Sequence, residues 1–245
     1  MNVIEQEIKE ILGKCRIEGN VVYLPQGQLD RDIYMKVNKC LTGIGGKWNR
    51  KQKGHIFDTN PQELFNKILD TGERIDLKKD NQFFETPREL AIKVVEMAEI
   101  TDDCSVLEPS AGLGAIADEI DNMRDITLIE KNEIFANKLR EKHYANVICD
   151  DFMNTGMKYD RIIMNPPFTK QQDIQHALHA YSCLVSGGIM VAIISESPFF
   201  RDNKTSVNFR QFLKDTNAVI YENDKGTFKT SGTMVKSRII KIVKK

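Results

Sequence analysis

From Ser105 to Val243 the chain alternates short apolar runs with segments of helical period, and few folds accept that alternation. The apolar runs are SVLEP, ITLIE, VIC, RIIMN, GIMVAIIS, AVIYE and SRIIKIV. Most are continuous rather than alternating, the pattern of strands buried on both faces. KNEIFANKLREK and QQDIQHALHAYSCL have helical spacing between strands, and LGAIADEI reads as the helix after a glycine-containing turn. Thr86-Pro87-Arg88-Glu89 has capping-box spacing with Pro at the first helical position, and Leu90, Val94, Val95 and Ala98 then share a face. The expected fold is α/β, a doubly wound, mainly parallel sheet of seven strands. NDKGTFKTSGTMVK separates the last two strands without a helical pattern, so these two form an antiparallel hairpin at the sheet edge.

A polar stretch, KKDNQFFE, divides the chain into a small N-terminal α+β module, residues 1–80, and a larger domain, residues 81–245. The module reads as a helix, a short strand around Val21–Leu24, a helix through Ile33–Leu41, a Gly-rich basic turn (GIGGKWNRKQKGHIF) and a helix after Asn60-Pro61. No apolar run approaches the roughly 18 residues of a membrane span. MNVIEQEIKEILGK has no apolar signal core, so the protein is expected to be soluble and cytoplasmic. Cys15, Cys40, Cys104, Cys149 and Cys183 are isolated, with neither C-x-x-C pairs nor His at ligand spacing. They read as reduced thiols, and no metal site is expected. Net charge is zero but unevenly spread. Residues 1–80 have 14 Lys+Arg against 12 Asp+Glu, residues 81–160 have 8 against 17, and residues 161–245 have 13 against 6. That asymmetry suits a cofactor half beside a polyanion-facing half, and equally a solvated surface.

Glu108-Pro109-Ser110-Ala111-Gly112-Leu113-Gly114 follows a strand, where an open α/β sheet binds a nucleotide-like ligand. Glycines there admit close backbone approach, and the strand-ending Glu108 can accept hydrogen bonds from a cationic amine. Glu130 ends the second strand, 22 residues later, where a carboxylate accepts ribose hydroxyls. Asp151-Phe152 follows the third, the acid placed for an adenine amine and the ring for stacking. The most specific signal is Asn165-Pro166-Pro167-Phe168 after the fourth strand. Two prolines enforce a rigid, extended turn. The Asn165 amide oxygen and the Pro166 carbonyl then form a fixed acceptor pair beside the Phe168 ring, which fits a planar amine with two N–H groups. His143, His176 and His179 lie in helix-like segments and read as surface or packing residues.

With these motifs, residues 83–245 resemble the N6-adenine DNA methyltransferases, a Rossmann-like class I family dependent on S-adenosylmethionine. Phe83-Phe84-Glu85-Thr86-Pro87 resembles the family's F-x-T-P element, which helps cover the methionine end of the cofactor. EPSAGLG is similar to its D/E-P-x-x-G-x-G loop, Glu130 to the ribose acid, Asp151-Phe152 to the adenine clamp, and Asn165-Pro166-Pro167-Phe168 to the D/N/S-P-P-Y/F/W catalytic motif. The motif order is that of the γ type, and GTFKTSGTMVKSRIIKI looks like the final hairpin with a Ser-Gly-Thr loop. The resemblance implies direct methyl transfer to the N6 amine of adenine in double-stranded DNA, with the base flipped out of the helix. Phe84, Thr86, Pro87, Glu108, Pro109, Ser110, Ala111, Gly112, Gly114, Glu130, Asp151, Phe152 and Asn165 would hold the cofactor, and Asn165 to Phe168 would act on the base.

Similar Asn-Pro-Pro motifs serve enzymes that methylate RNA bases or protein glutamine, and an inactive DNA-binding scaffold is the reading from a different class. The F-F-E-T-P element favours DNA, and the intact motifs favour an enzyme. Relatives with this motif order usually carry a large target-recognition domain, whereas 77 residues follow Phe168 here. Residues 197–210 and the N-terminal module are the expected substitutes. Residues 31–55 hold seven cations (Arg31, Lys36, Lys39, Lys47, Arg50, Lys51 and Lys53) against one acid, Asp32, interleaved with Tyr34, Trp48 and His55. Lys47, Trp48, Arg50, Lys51 and Lys53 are the candidate DNA contacts; the alternative is a solvated basic face with Trp48 in a small core.

Overall fold

The computed structural model describes residues 3–77, 84–120, 126–224, 226–229 and 234–245. The chain divides into two units, Met1–Phe83 and Phe84–Lys245. Phe83 and the Ser-Gly-Thr stretch at 231–233 lie outside the described residues.

The first unit runs α1 (Gln6–Gly13), β1 (Arg16–Glu18), β2 (Val21–Tyr23), α2 (Arg31–Gly43), β3 (Lys47–Asn49), β4 (Gly54–Ile56) and α3 (Gln62–Thr71). Its strands form an antiparallel sheet in the order β1-β2-β4-β3. Val37, Cys40, Leu41 and Ile44 recur at helical spacing along and just beyond α2, and they pack with Ile8, Leu12, Val22, Phe57, Phe65 and Ile68. The stretch expected to be a basic turn is a β3–β4 hairpin. Asn49 Oδ1 accepts from the backbone N–H groups of Lys51 and Gln52 (2.9 and 3.0 Å) and so closes its tip.

The second unit holds α4 (Arg88–Ala98), β5 (Val106–Pro109), β6 (Ile126–Ile129), α5 (Glu133–Glu141), β7 (Asn146–Ile148), β8 (Tyr159–Met164), α6 (Gln172–Ser182), β9 (Leu184–Ser195), α7 (Ser197–Phe200), α8 (Lys204–Asp215), β10 (Val219–Glu222) and β11 (Ser237–Val243). The seven-stranded sheet is ordered β10-β11-β9-β8-β5-β6-β7. Strands β9, β8, β5, β6 and β7 are parallel, while β10 and β11 form the expected antiparallel hairpin. The continuous apolar runs are central strands: every residue of β5 and β6 is buried, as are Ile189 to Ser195 of β9. Separate cores cover the two sheet faces, Leu90, Val94, Ile116, Leu128 and Ile193 in one, Leu107, Ile129, Ile162, Ile174 and Phe209 in the other.

Two local readings are corrected. LGAIADEI is not an α-helix but turns followed by one 3-10 turn at Ala117–Glu119. Gly114 sits at φ 80°, a left-handed value that cannot continue a right-handed helix. Thr86 does not cap α4, whose N-cap is Pro87 with no side-chain hydrogen bond. The Thr86 hydroxyl is turned instead toward Asn165.

Candidate active site

The glycine loop follows β5 and the Asn-Pro-Pro-Phe turn follows β8, strands that are neighbours although β6 and β7 intervene in sequence. The strand order reverses there, with β6 and β7 on one side of β5 and β8 and β9 on the other. The crevice beyond the strand ends at such a reversal is where open α/β sheets take ligands.

In the glycine loop Ser110, Gly112 and Gly114 all have left-handed φ values of 61°, 59° and 80°. A Cβ on Gly114 would also stand 2.9 Å from Leu139 Cδ2 in the core. Gly114→Ala is therefore expected to cost about 1–2 kcal/mol of stability, the scale of forcing an L residue left-handed. Urea unfolding would show a lower midpoint at constant slope; an unchanged midpoint would count against the close packing.

Glu108 is 3% exposed, and its Oε2 accepts from the Ala117 N–H (2.9 Å). Burial drives its pKa well above the carboxylate range, so the site favours a partner that restores the charge: a cation or strong hydrogen-bond donor. Glu130 is 9% exposed, with Oε2 accepting from Gly112 N–H and Oε1 from Asn132 N–H, both at 2.7 Å. It thus ties the glycine loop to the turn after β6, and each oxygen keeps a lone pair for a further donor. Burial raises its pKa as well. Asp151 is held the other way: Lys131 Nζ donates to its Oδ2 at 2.7 Å and lowers its pKa.

Asn165 is fixed by its amide nitrogen, which donates to the Phe84 carbonyl and to Thr86 Oγ1, both at 3.1 Å. A carbonyl accepts only, so the group facing Phe84 must be the NH2, and Oδ1 takes the opposite side. Pro166 is buried, and the half-buried Phe168 meets Phe228 edge-on at 6.4 Å between ring centres. The structure thus gathers Phe84, Thr86 and Asn165 into one hydrogen-bonded group, and Glu130 with Gly112 into another.

Phe152 departs from the expected base-stacking surface. Its ring is 2% exposed and packs in the core against His176 and His179, at 5.6 and 4.8 Å, so its faces are turned inward. Lys47, Trp48, Arg50, Lys51 and Lys53 belong to the first unit. All five are exposed on the β3–β4 hairpin, and Trp48 is not a core residue, at 43% exposed. It meets His55 edge-on at 5.2 Å.

Two site residues escaped the sequence reading. His176, on α6, is buried with Nδ1 3.2 Å from Ser110 Oγ, and burial pulls its pKa down to about 4. It links the helix after the Asn-Pro-Pro-Phe turn to the glycine loop. Lys131 is the other, through its pairing with Asp151. The signal for His176 was its place among the apolar positions Ile174, Ala177 and Ala180 of α6. Among the described residues no helix is long and apolar enough to cross a membrane.

A mostly parallel seven-stranded sheet with an antiparallel edge and a strand-order reversal at its centre is the Rossmann-like class I methyltransferase fold. The family model described as the methyltransferase small domain matches residues 96–223, just over half of the chain, and the protein belongs to that family. No curated protein matches the chain significantly. Among solved structures, the M protein of the type I restriction enzyme EcoKI is 16% identical, with a TM-score of 0.55 over 98% of this chain and 58% of its own. A chain from a type I R-M system is 17% identical, with a TM-score of 0.56 over 87% of this chain and 50% of its own. A dimethyladenosine transferase from Plasmodium falciparum is 15% identical, with a TM-score of 0.50 over 66% of this chain and 63% of its own. This chain spans between half and two thirds of the length of these three. The protein is a methyltransferase, and its cofactor is S-adenosylmethionine. The donor set suits that group: a buried, charge-seeking Glu108 for an ammonium, Glu130 for paired hydroxyls, and a left-handed backbone that keeps side chains away.

Proposed function

We propose that the protein methylates the N6 amine of adenine in DNA. The observation that supports this most is the Asn165 amide, turned so that its nitrogen is consumed by Phe84 and Thr86. In this reading Oδ1 would serve, with the Pro166 carbonyl, as one of two acceptors for an exocyclic amine. Glu108, Gly112, Glu130 and Asp151 would contact the cofactor, with Phe84, Thr86, Pro87, Pro109, Ser110, Ala111 and Gly114 shaping its walls. When bound, S-adenosylmethionine supplies an electrophilic methyl group, whose transfer makes an N–C bond, breaks the S–C bond and sends the amine's surplus proton to water.

The chain's own part is positional. The N6 lone pair of adenine is delocalised into the ring and is a poor nucleophile. Hydrogen bonds to Asn165 Oδ1 and the Pro166 carbonyl favour a tetrahedral nitrogen and localise that pair. Pro167 stiffens the turn, and the Phe168 ring offers a face to the flipped base. DNA as substrate draws support from the Phe84–Pro87 element and from likeness, over most of the chain, to proteins of type I restriction-modification systems. The test is tritiated methyl transfer to unmethylated DNA, RNA and protein in parallel, followed by digestion to nucleosides. N6-methyladenine from DNA is the expected product; label confined to RNA or protein would overturn the substrate.

The β3–β4 hairpin would supply sequence-independent affinity through its exposed cations. Replacing Lys47, Arg50, Lys51 and Lys53 together by Ala is expected to flatten the slope of log K against log salt by up to about 0.9 for every phosphate left without its cation. An unchanged slope in a fluorescence-anisotropy titration would reduce the hairpin to a solvated face.

A further inference from the structure

Flipping a base leaves a gap in the duplex, and the short helix α7 after β9 ends on a residue suited to fill it. Resting on the DNA reading above, we propose that Phe200 is an apolar wedge that enters the vacated base step, while Arg201, Lys204 and Lys170 take flanking phosphates. Phe200 is 64% exposed, the most exposed aromatic ring among the described residues. Single exposed apolar residues are common, so placement and rigidity decide the matter.

Placement comes from the sheet. Strands β8 and β9 run parallel with Met164 opposite Ala192, so the turn holding Asn165 and the segment that carries α7 and Phe200 leave neighbouring strand ends. Two tethers join them. Asp173 Oδ2 accepts from the Ser195 N–H (3.0 Å) and hydroxyl (2.6 Å), and Gln171 Nε2 donates to Ser206 Oγ (2.7 Å). Lys170 and Gln171 have left-handed φ values of 55° and 61°, a strained pair that these tethers hold beside the catalytic turn.

Rigidity comes from two arginines. Arg210 Nη1 donates to the carbonyls of Pro198 (2.7 Å) and Arg201 (2.6 Å), one on each side of Phe200. Arg238 pairs with Glu196 through two bonds (2.6 and 3.0 Å) and covers the Phe199 ring at 4.6 Å. One phenylalanine is thus stacked down while its neighbour is held out at the pinned end of α7. Arg201, Lys204 and Lys170 are all exposed, and Asp202, next to Arg201, pairs with Arg210 at 3.6 Å. An outward aromatic ring with cations around it is how proteins unstack a base step while gripping the backbone.

The experiment uses the full chain and an oligonucleotide duplex bearing a site first mapped by sequencing methylated plasmid DNA. Two substrates are compared: the target adenine paired with thymine, and the same adenine opposite an abasic position, where unpairing is already done. Phe200→Ala is expected to lower kcat/KM about tenfold or more on the paired duplex and to stay within about twofold of wild type on the abasic one. Phe200→Trp, which keeps a wedge, should hold near wild type on both. Equal activity of Phe200→Ala and wild type on the paired duplex overturns the wedge, and so does an equal loss on both substrates. If wild type labels no DNA, the proposed function fails first and the wedge with it. Labelled DNA with an indifferent Phe200 sinks the wedge alone.

Discussion

Replacing Asn165 by Ala is expected to lower turnover about a hundred- to a thousandfold, the scale of losing one aimed polar group that acts in the transition state. The loss should fall on kcat rather than on cofactor affinity, because the interaction with Oδ1 strengthens as the amine nitrogen becomes tetrahedral. Asn165→Asp separates two contributions. It keeps acceptor oxygens but loses the donors toward the Phe84 carbonyl and Thr86, so its rate is expected to lie between those of wild type and Asn165→Ala. Steady-state tritium transfer measures both, with calorimetry of S-adenosylhomocysteine as the control for an intact site. Wild-type turnover by Asn165→Ala would remove this residue from the chemistry.

Glu130→Ala is expected to weaken S-adenosylmethionine binding by roughly 1.5–3 kcal/mol, the range for hydrogen bonds to a charged group. At about tenfold per 1.4 kcal/mol, the Kd rises between roughly 10- and 150-fold. Part of that loss is indirect. The carboxylate holds the N–H groups of Gly112 and Asn132 at 2.7 Å, and removing it takes an acceptor away from each. Glu130→Gln, which can still accept from one of them, should lose less than Glu130→Ala. Calorimetric titration decides, and unchanged affinity in a folded Glu130→Ala protein would place the ribose elsewhere.

The large sheet was legible because its strands are continuous apolar runs alternating with segments of helical period, the pattern of β5, β6, β8 and β9 buried on both faces. The edge hairpin followed from the missing helical pattern between β10 and β11. The small sheet was not legible. Its strands have three residues each, too few for a period, and KWN and GHI are disguised by the glycines and cations around them. LGAIADEI misled because its apolar spacing is helical while the left-handed Gly114 forbids the first turn. Thr86 misled through its local motif, since a tertiary partner, Asn165, outcompeted the cap. The same limit hid His176: spacing along α6 marks which residues face inward, but not that one of them meets a loop 66 residues away.

The two partners of the Asn165 amide differ in how replaceable they are. A side-chain amide has nearly the same shape in both of its flipped states, and only the polarity of what it faces tells them apart. The Thr86 hydroxyl can donate or accept and so follows the amide whichever way it turns. The Phe84 partner is a main-chain oxygen, present whatever residue stands at that position. The orientation of the Asn165 amide is therefore written into the backbone. Substitutions at position 84 can loosen the packing around the amide, but none can invert the direction in which its oxygen looks.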